Sequence, residues 1–220
     1  MNIKAILFDM DGVLMDSEYY YMNGTLSWMK EHGYQKEDSL VYKLIGTTMA
    51  QTYDLLYDLM DGHYTKEVLE DLNETYFKEH PLNVKEIMFE GVEDVLIELH
   101  KMGIKCALCS SSPLSAIHAH LSTMGIDKYF DVISSSESFS RAKPYPDIYL
   151  AAMAKLQVSA NECIVYEDSR IGISAGVSSG AYCIAREDKR FGQDQSQAAL
   201  IVKDIKELLE FVRVNNGRDI

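Results

Sequence analysis

The sequence predicts an α/β protein: a parallel sheet flanked by helices, with a small helical unit inserted after the first strand. Three observations lead there. From residue 86 onward, short apolar runs alternate with amphipathic stretches of helical period, the pattern of strands joined by crossover helices. The stretch 17–85 breaks this alternation and holds helical segments only. Polar clusters follow four of the apolar runs, where a parallel sheet presents its carboxyl edge.

Length and composition agree. A chain of 220 residues, 47% hydrophobic and 25% charged, suits one globular α/β domain with a modest insertion. Its 34 Asp and Glu against 21 Lys and Arg give a net charge of −13. Such a chain repels phosphate backbones and anionic lipid, which excludes a general nucleic-acid or membrane-surface role. An anionic ligand must then be held by a few local cations or by a metal. No apolar run is long enough to cross a bilayer, and the stretch before Asp9 is too short for a secretory signal, so the expected location is the cytoplasm.

Residues 3–8 read as the first strand. Segments 18–32, 38–44, 49–60 and 66–80 read as helices of the insertion. The expected division is therefore a core domain of 1–16 with 86–220 and a helical domain of 17–85. A helix over 91–102 places Val92, Val95, Leu96, Leu99 and Met102 on one face, and Gly103 ends it. A strand over 106–109, a helix over 113–124, a strand over 130–134 and a helix from 146 follow. Ser159 and Glu162 form a capping box before a strand over 163–166. Then come a helix over 169–179 and strands over 181–185 and 200–202. Asp204 and Glu207 cap a last helix with the stripe Ile205, Leu208, Leu209 and Val212, and from Val214 the chain reads as a frayed polar tail.

Two apparent metal patterns fail on geometry. Cys106 and Cys109 make a C-x-x-C, but a strand points positions i and i+3 to opposite faces, so buried reduced thiols are expected. His118 and His120 stand about 200° apart around a helix and cannot share one metal.

The chemistry lies at the strand ends. The first strand runs into Asp9-Met10-Asp11-Gly12, where two carboxylates at i and i+2 face one cleft and Gly12 lets the chain turn away. Calcium loops share this short pattern, but the Glu twelfth in the loop is missing. Ser110-Ser111-Ser112 ends the second core strand, where hydroxyls and free N–H groups suit an oxyanion. Lys143 is held extended by Pro144. Glu167-Asp168-Ser169 ends a further apolar strand. Each cluster alone reads as a cap or a solvated loop. Together they converge on one sheet edge, where four carboxylates would repel by on the order of several kcal/mol unless a cation intervenes. All-oxygen ligation by Asp9, Asp11, Glu167 and Asp168 points to Mg²⁺, and Lys143 would offset an arriving phosphoryl group. The set describes a phosphoryl-transfer site with an Asp nucleophile.

These four motifs, in this order, resemble the haloacid dehalogenase (HAD) superfamily, in its β-phosphoglucomutase-like phosphatase branch. The resemblance implies a Rossmann-like core with the insertion as a small cap domain. It implies that Asp9 attacks phosphorus and that Asp11 protonates the leaving alkoxide and later deprotonates water. Mg²⁺ would rest on the Asp9 carboxylate, the Asp11 carbonyl and Asp168, with Glu167 as ligand or support. Ser110 would hold the transferring group and Lys143 would neutralise it. Met10, Gly12, Ser111, Ser112 and Gly46 are the expected substrate-binding positions, with closure of the cap excluding water.

Asp11 favours phosphate esters, since a halide leaves without a proton and a phosphonatase would use a cap lysine. Met49 stands where a phosphoglucomutase of this branch would carry a cap arginine, and Tyr19-Tyr20-Tyr21 stands where it would carry a histidine. Hydrolysis of a small phosphomonoester, a sugar phosphate or similar metabolite, is thus expected of a monomer, ahead of a mutase or an inactive acidic binding module. Of the aromatics Tyr19, Tyr20, Tyr21, Trp28, Tyr53 and Tyr57, most are expected in the core or on the surface of the insertion, with one or two lining the cleft.

Overall fold

The computed structural model describes residues 1–45, 47 and 49–217. Its strands are β1 (Ala5–Phe8), β2 (Lys105–Ser110), β3 (Val132–Ser135), β4 (Cys163–Glu167), β5 (Tyr182–Arg186) and β6 (Leu200–Val202). All neighbours pair in parallel, in the order β3-β2-β1-β4-β5-β6. The fold is the α/β class expected from the alternation. Every residue of β1 and β4 is buried, as strands covered by helices on both faces must be. Strand order reverses at β1, so a crevice opens beyond the carboxyl ends of β1 and its neighbours β2 and β4. Phe8 is in register with Leu108 and Tyr166, which brings the next residue of each strand, Asp9, Cys109 and Glu167, to one level.

The described helices are α1 (Ser17–Glu31), α2 (Met49–Leu59), α3 (Lys66–Glu79), α4 (Val84–Ile87), α5 (Val92–Lys101), α6 (Leu114–Met124), α7 (Asp147–Leu156), α8 (Arg170–Ser178) and α9 (Ile205–Asn215). One sheet face, with Ala5, Leu7, Ala107, Cys109 and Val165, packs on Ile148, Tyr149 and Ala152 of α7 and Ile173 of α8. The alternate strand residues look the other way, where α5 packs against β2 and α9 and the Phe8 ring meets Phe130 and Tyr166 edge-on at 6.1 Å. Cys106 and Cys109 are free, and burial pushes both thiols up to about 12, as expected of inert core cysteines.

Local signals explain several boundaries. Ser159 and Glu162 complete a reciprocal capping box, the Ser169 hydroxyl accepts from the Gly172 N–H, and the Asp204 carboxylate accepts from Lys206 and Glu207 N–H. The last helix departs from the frayed tail expected at Val214 and runs to Asn215. Asn216 explains the difference: its amide accepts from Ile3 N–H and donates to the Ile3 carbonyl, both at 2.9 Å, tying the end of α9 to the sheet.

The residues divide into two compact units: Met1–Asp16, Val84–Lys189 and Gln193 onward in one, Ser17–Asn83 with Arg190–Gly192 in the other. The helical unit begins at Ser17, ends at Asn83 and takes in Arg190–Gly192. Within that unit Phe191 meets the Tyr42 ring edge-on at 5.2 Å. Segment 38–44 is a 3₁₀ helix, whose three-residue turn lets Val41 and Leu44 both point inward. Trp28 and Tyr53 join the core of the unit, and Trp28 Nε1 donates to Asn73 Oδ1 at 3.0 Å, whereas Tyr19, Tyr21 and Tyr57 are exposed. Gly46 lies outside the described residues. No described helix is long and apolar enough to cross a membrane.

Leu56 is 1% exposed in this second core. Leu56→Ala is expected to cost about 2–5 kcal/mol through lost burial and a residual cavity. Urea unfolding measures it, and a cost below about 1 kcal/mol would place Leu56 outside the core.

Candidate active site

The Asp9 N–H donates to the Tyr166 carbonyl at 3.0 Å, carrying strand pairing one residue past β1 before the chain turns. The turn closes when the Met10 carbonyl accepts from Leu14 N–H at 2.9 Å. Gly12 sits at φ +73°, and the Asp168 carboxylate fills the space a Cβ there would need. Gly172 is required in the same way, because a Cβ would overlap the Glu167 carboxylate. Both glycines let acidic groups approach backbone closely.

Lys143 is the hub. Its Nζ donates to Asp9 Oδ1 at 2.6 Å, to Glu167 Oε1 at 2.6 Å and to the Cys109 carbonyl at 3.0 Å. Asp9, Lys143, Glu167 and Asp168 are all buried. Burial opposes the lysine charge, but Asp9 and Glu167 outweigh it and hold Lys143 above its ordinary range. Burial likewise opposes the Glu167 charge, yet Lys143, Tyr149 and the Asp168 N–H keep that carboxyl below its usual range. For Asp9 the balance goes the other way. Burial, offset in part by Lys143 and reinforced by Glu167 and Asp11, pushes its carboxyl well above the usual range.

This imbalance tests whether a cation suits the site. Ligand oxygens of Asp9, Glu167 and Asp168 lie within 4.8 Å of one another. Lys143 is shared between Asp9 and Glu167, and the donors of the three buried carboxylates are all hard oxygens. The group fits a hard divalent cation.

The remaining expected residues fall into place unevenly. Ser110 is buried at the end of β2, and its hydroxyl accepts from Ser112 N–H at 3.0 Å. The Ser112 hydroxyl donates to Asp11 Oδ2 at 2.9 Å, linking the second motif to the first. Ser111 is exposed and stands outside this network as described. The Met10 side chain is buried in the core, which leaves only its backbone N–H to meet a ligand.

Four residues of the site went unread in the sequence. The Tyr149 hydroxyl donates to Glu167 Oε1 at 2.9 Å; a Tyr on the apolar stripe of a helix must bury its hydroxyl against an acceptor, which was the available signal. The Ser135 hydroxyl donates to the Ser112 carbonyl at 2.8 Å from the end of β3, which is also the carboxyl end of a parallel strand. Arg186, at the end of β5, reaches the Gly12 carbonyl at 3.3 Å with its guanidinium 3.6 Å from the centre of the Phe89 ring. The buried Gln195 amide donates to the Asp168 and Arg186 carbonyls, both at 2.7 Å, and nothing in its loop sequence marked it.

A family profile for haloacid dehalogenase-like hydrolases matches residues 6–186. The chain belongs to that family. It is 29% identical over 180 residues to a phosphorylated carbohydrates phosphatase of Thermotoga maritima, covering 81% of this chain and 82% of that protein. To a β-phosphoglucomutase of Bacillus subtilis it is 27% identical, over 94% of this chain and 92% of that protein. Its fold is similar to that of a HAD family hydrolase from Deinococcus radiodurans, with a TM-score of 0.81 at 24% identity over 99% and 97% of the two chains.

Proposed function

We propose that this phosphatase of the HAD superfamily hydrolyses a small phosphomonoester, such as a sugar phosphate, with Mg²⁺ bound and through an aspartyl-phosphate. The observation that carries the reading is the buried set at the carboxyl edge of β1, with Asp9 sharing the Lys143 ammonium with Glu167 beside Asp168. Similarity to a phosphatase of phosphorylated carbohydrates supports the substrate class.

In this reading one Asp9 oxygen forms a bond to phosphorus as the bond from phosphorus to the ester oxygen breaks. Asp11 gives its proton to the departing alkoxide. Water then attacks phosphorus, Asp11 takes the water's proton, and the bond from Asp9 to phosphorus breaks to release phosphate. Lys143 stands against Asp9 to offset the negative charge of the phosphoryl group. The Ser110 hydroxyl and the Met10 and Asp11 N–H groups take phosphoryl oxygens, and the Ser112 hydroxyl holds Asp11 in line. Mg²⁺ would be held by the Asp9 and Asp168 carboxylates and the Asp11 carbonyl, and it would supply positive charge where the substrate brings negative charge. The helical unit serves as the cap that selects the substrate, in a monomer acting in the cytoplasm.

Phosphate release from an aryl phosphate and a panel of sugar phosphates tests this. Turnover is expected with Mg²⁺ and is expected to fall at least about 100-fold in EDTA. Turnover that persists in EDTA contradicts the metal role. Release of phosphate from no substrate, with interconversion of β-glucose 1-phosphate when its bisphosphate is added, would instead establish the mutase reading that the 27% likeness keeps open.

A further inference from the structure

Tyr149, the third residue of α7, is wholly buried, and its one polar atom is spent on Glu167. A carboxylate has about four lone-pair sites. Oε1 of Glu167 accepts from Lys143 at 2.6 Å and from the Tyr149 hydroxyl at 2.9 Å. Oε2 accepts from Asp168 N–H at 3.0 Å and from Ser169 N–H and Oγ, each at 3.2 Å. Both oxygens are fully engaged by protein donors. The three ammonium protons of Lys143 are matched in turn by three acceptors: Asp9, Glu167 and the Cys109 carbonyl. Where Lys143 points therefore depends on where Glu167 is held. The Tyr149 ring adds to that hold, with Lys143 Nζ 5.2 Å from its centre.

We infer that Tyr149 is a positioning residue: by occupying a Glu167 lone pair it keeps Glu167 in place as the counter-ion of Lys143, and so keeps Lys143 on Asp9. The inference rests on the proposed reading of Asp9 as the group that receives phosphoryl. Without the hydroxyl, Oε1 has a vacant lone pair, and the carboxylate can draw Lys143 off Asp9.

Tyr149→Phe removes the hydroxyl and keeps the ring. It is expected to lower kcat about tenfold and to raise KM by no more than about fivefold, because the hydroxyl acts through Lys143 and not on the substrate. Magnesium affinity of the metal-free protein, measured by calorimetry, is expected to stay within about twofold. The effect on kcat is expected to shrink to under about twofold in a Glu167→Gln background, since the path runs through that carboxylate. Ile148→Val, a packing change next door, is expected to leave the kcat and KM balance intact. An unchanged kcat, an equal loss in the Gln background, or magnesium affinity weakened about tenfold would each overturn the inference. Binding of inorganic phosphate to the magnesium-loaded protein, expected to weaken about fivefold in Tyr149→Phe, needs no turnover. A wild type that binds phosphate but hydrolyses nothing would thus defeat the proposed activity and still test Tyr149.

Discussion

Asp9→Asn is expected to lower phosphate release by about 10⁴-fold or more while leaving the protein folded. The amide keeps the size and one acceptor oxygen of the carboxylate, so Lys143 retains a partner, but an amide is not a nucleophile toward phosphorus. The substitution also removes one of the negative charges that burial opposes. The remaining Lys143–Glu167 pair is balanced one to one, and the metal-free variant is expected to unfold at a urea concentration no lower than wild type. Loss of turnover together with undiminished stability separates a chemical role from a structural one. Residual activity above about a hundredth of wild type would remove Asp9 from the chemistry.

Lys143→Met should show a different profile, with both stability and turnover lost. The methionine is of similar length and apolar, so the main change is the loss of charge. Asp9 and Glu167 would be left as buried carboxylates without their shared ammonium. Breaking a buried pair by removing one partner costs about 3–5 kcal/mol, and here one cation serves two anions. Urea unfolding of the metal-free protein is expected to show that loss. Added Mg²⁺ is expected to recover part of it, because a bound cation offsets the same carboxylates. A loss below about 1 kcal/mol would mean that the carboxylates do not depend on Lys143 for their charge.

The parallel sheet was legible because its central strands β1 and β4 are buried on both faces and so read as short apolar runs between helical stretches. Asp9, Ser110, Glu167 and Asp168 were found by one rule, the carboxyl end of a strand, and Lys143 by its place beside Pro144. The structure brings Asp9, Lys143, Glu167 and Asp168 into one buried cluster. What the sequence hid are contacts that close over long separations. Gln195 meets the Asp168 carbonyl across 27 residues, and Arg186 meets the Gly12 carbonyl across 174. In both the acceptor is backbone, which carries no trace in residue type. The end of α9 was misread for the same reason, since Asn216 looks like a polar tail until its two bonds to Ile3 are seen. Segment 38–44 is helical over the expected bounds, and its 3₁₀ form was not legible because Val41 and Leu44, three apart, satisfy an α-helical pattern as well as a 3₁₀ one.

The most direct measurement is acid quenching of a magnesium-activated turnover of substrate, followed by mass spectrometry of the peptide that contains Asp9. One added phosphoryl group, labile to hydroxylamine, is expected on Asp9, and none in the Asp9→Asn variant. A phosphorylated residue elsewhere, or full turnover with no trapped phosphoryl group on Asp9 under fast quenching, would contradict it.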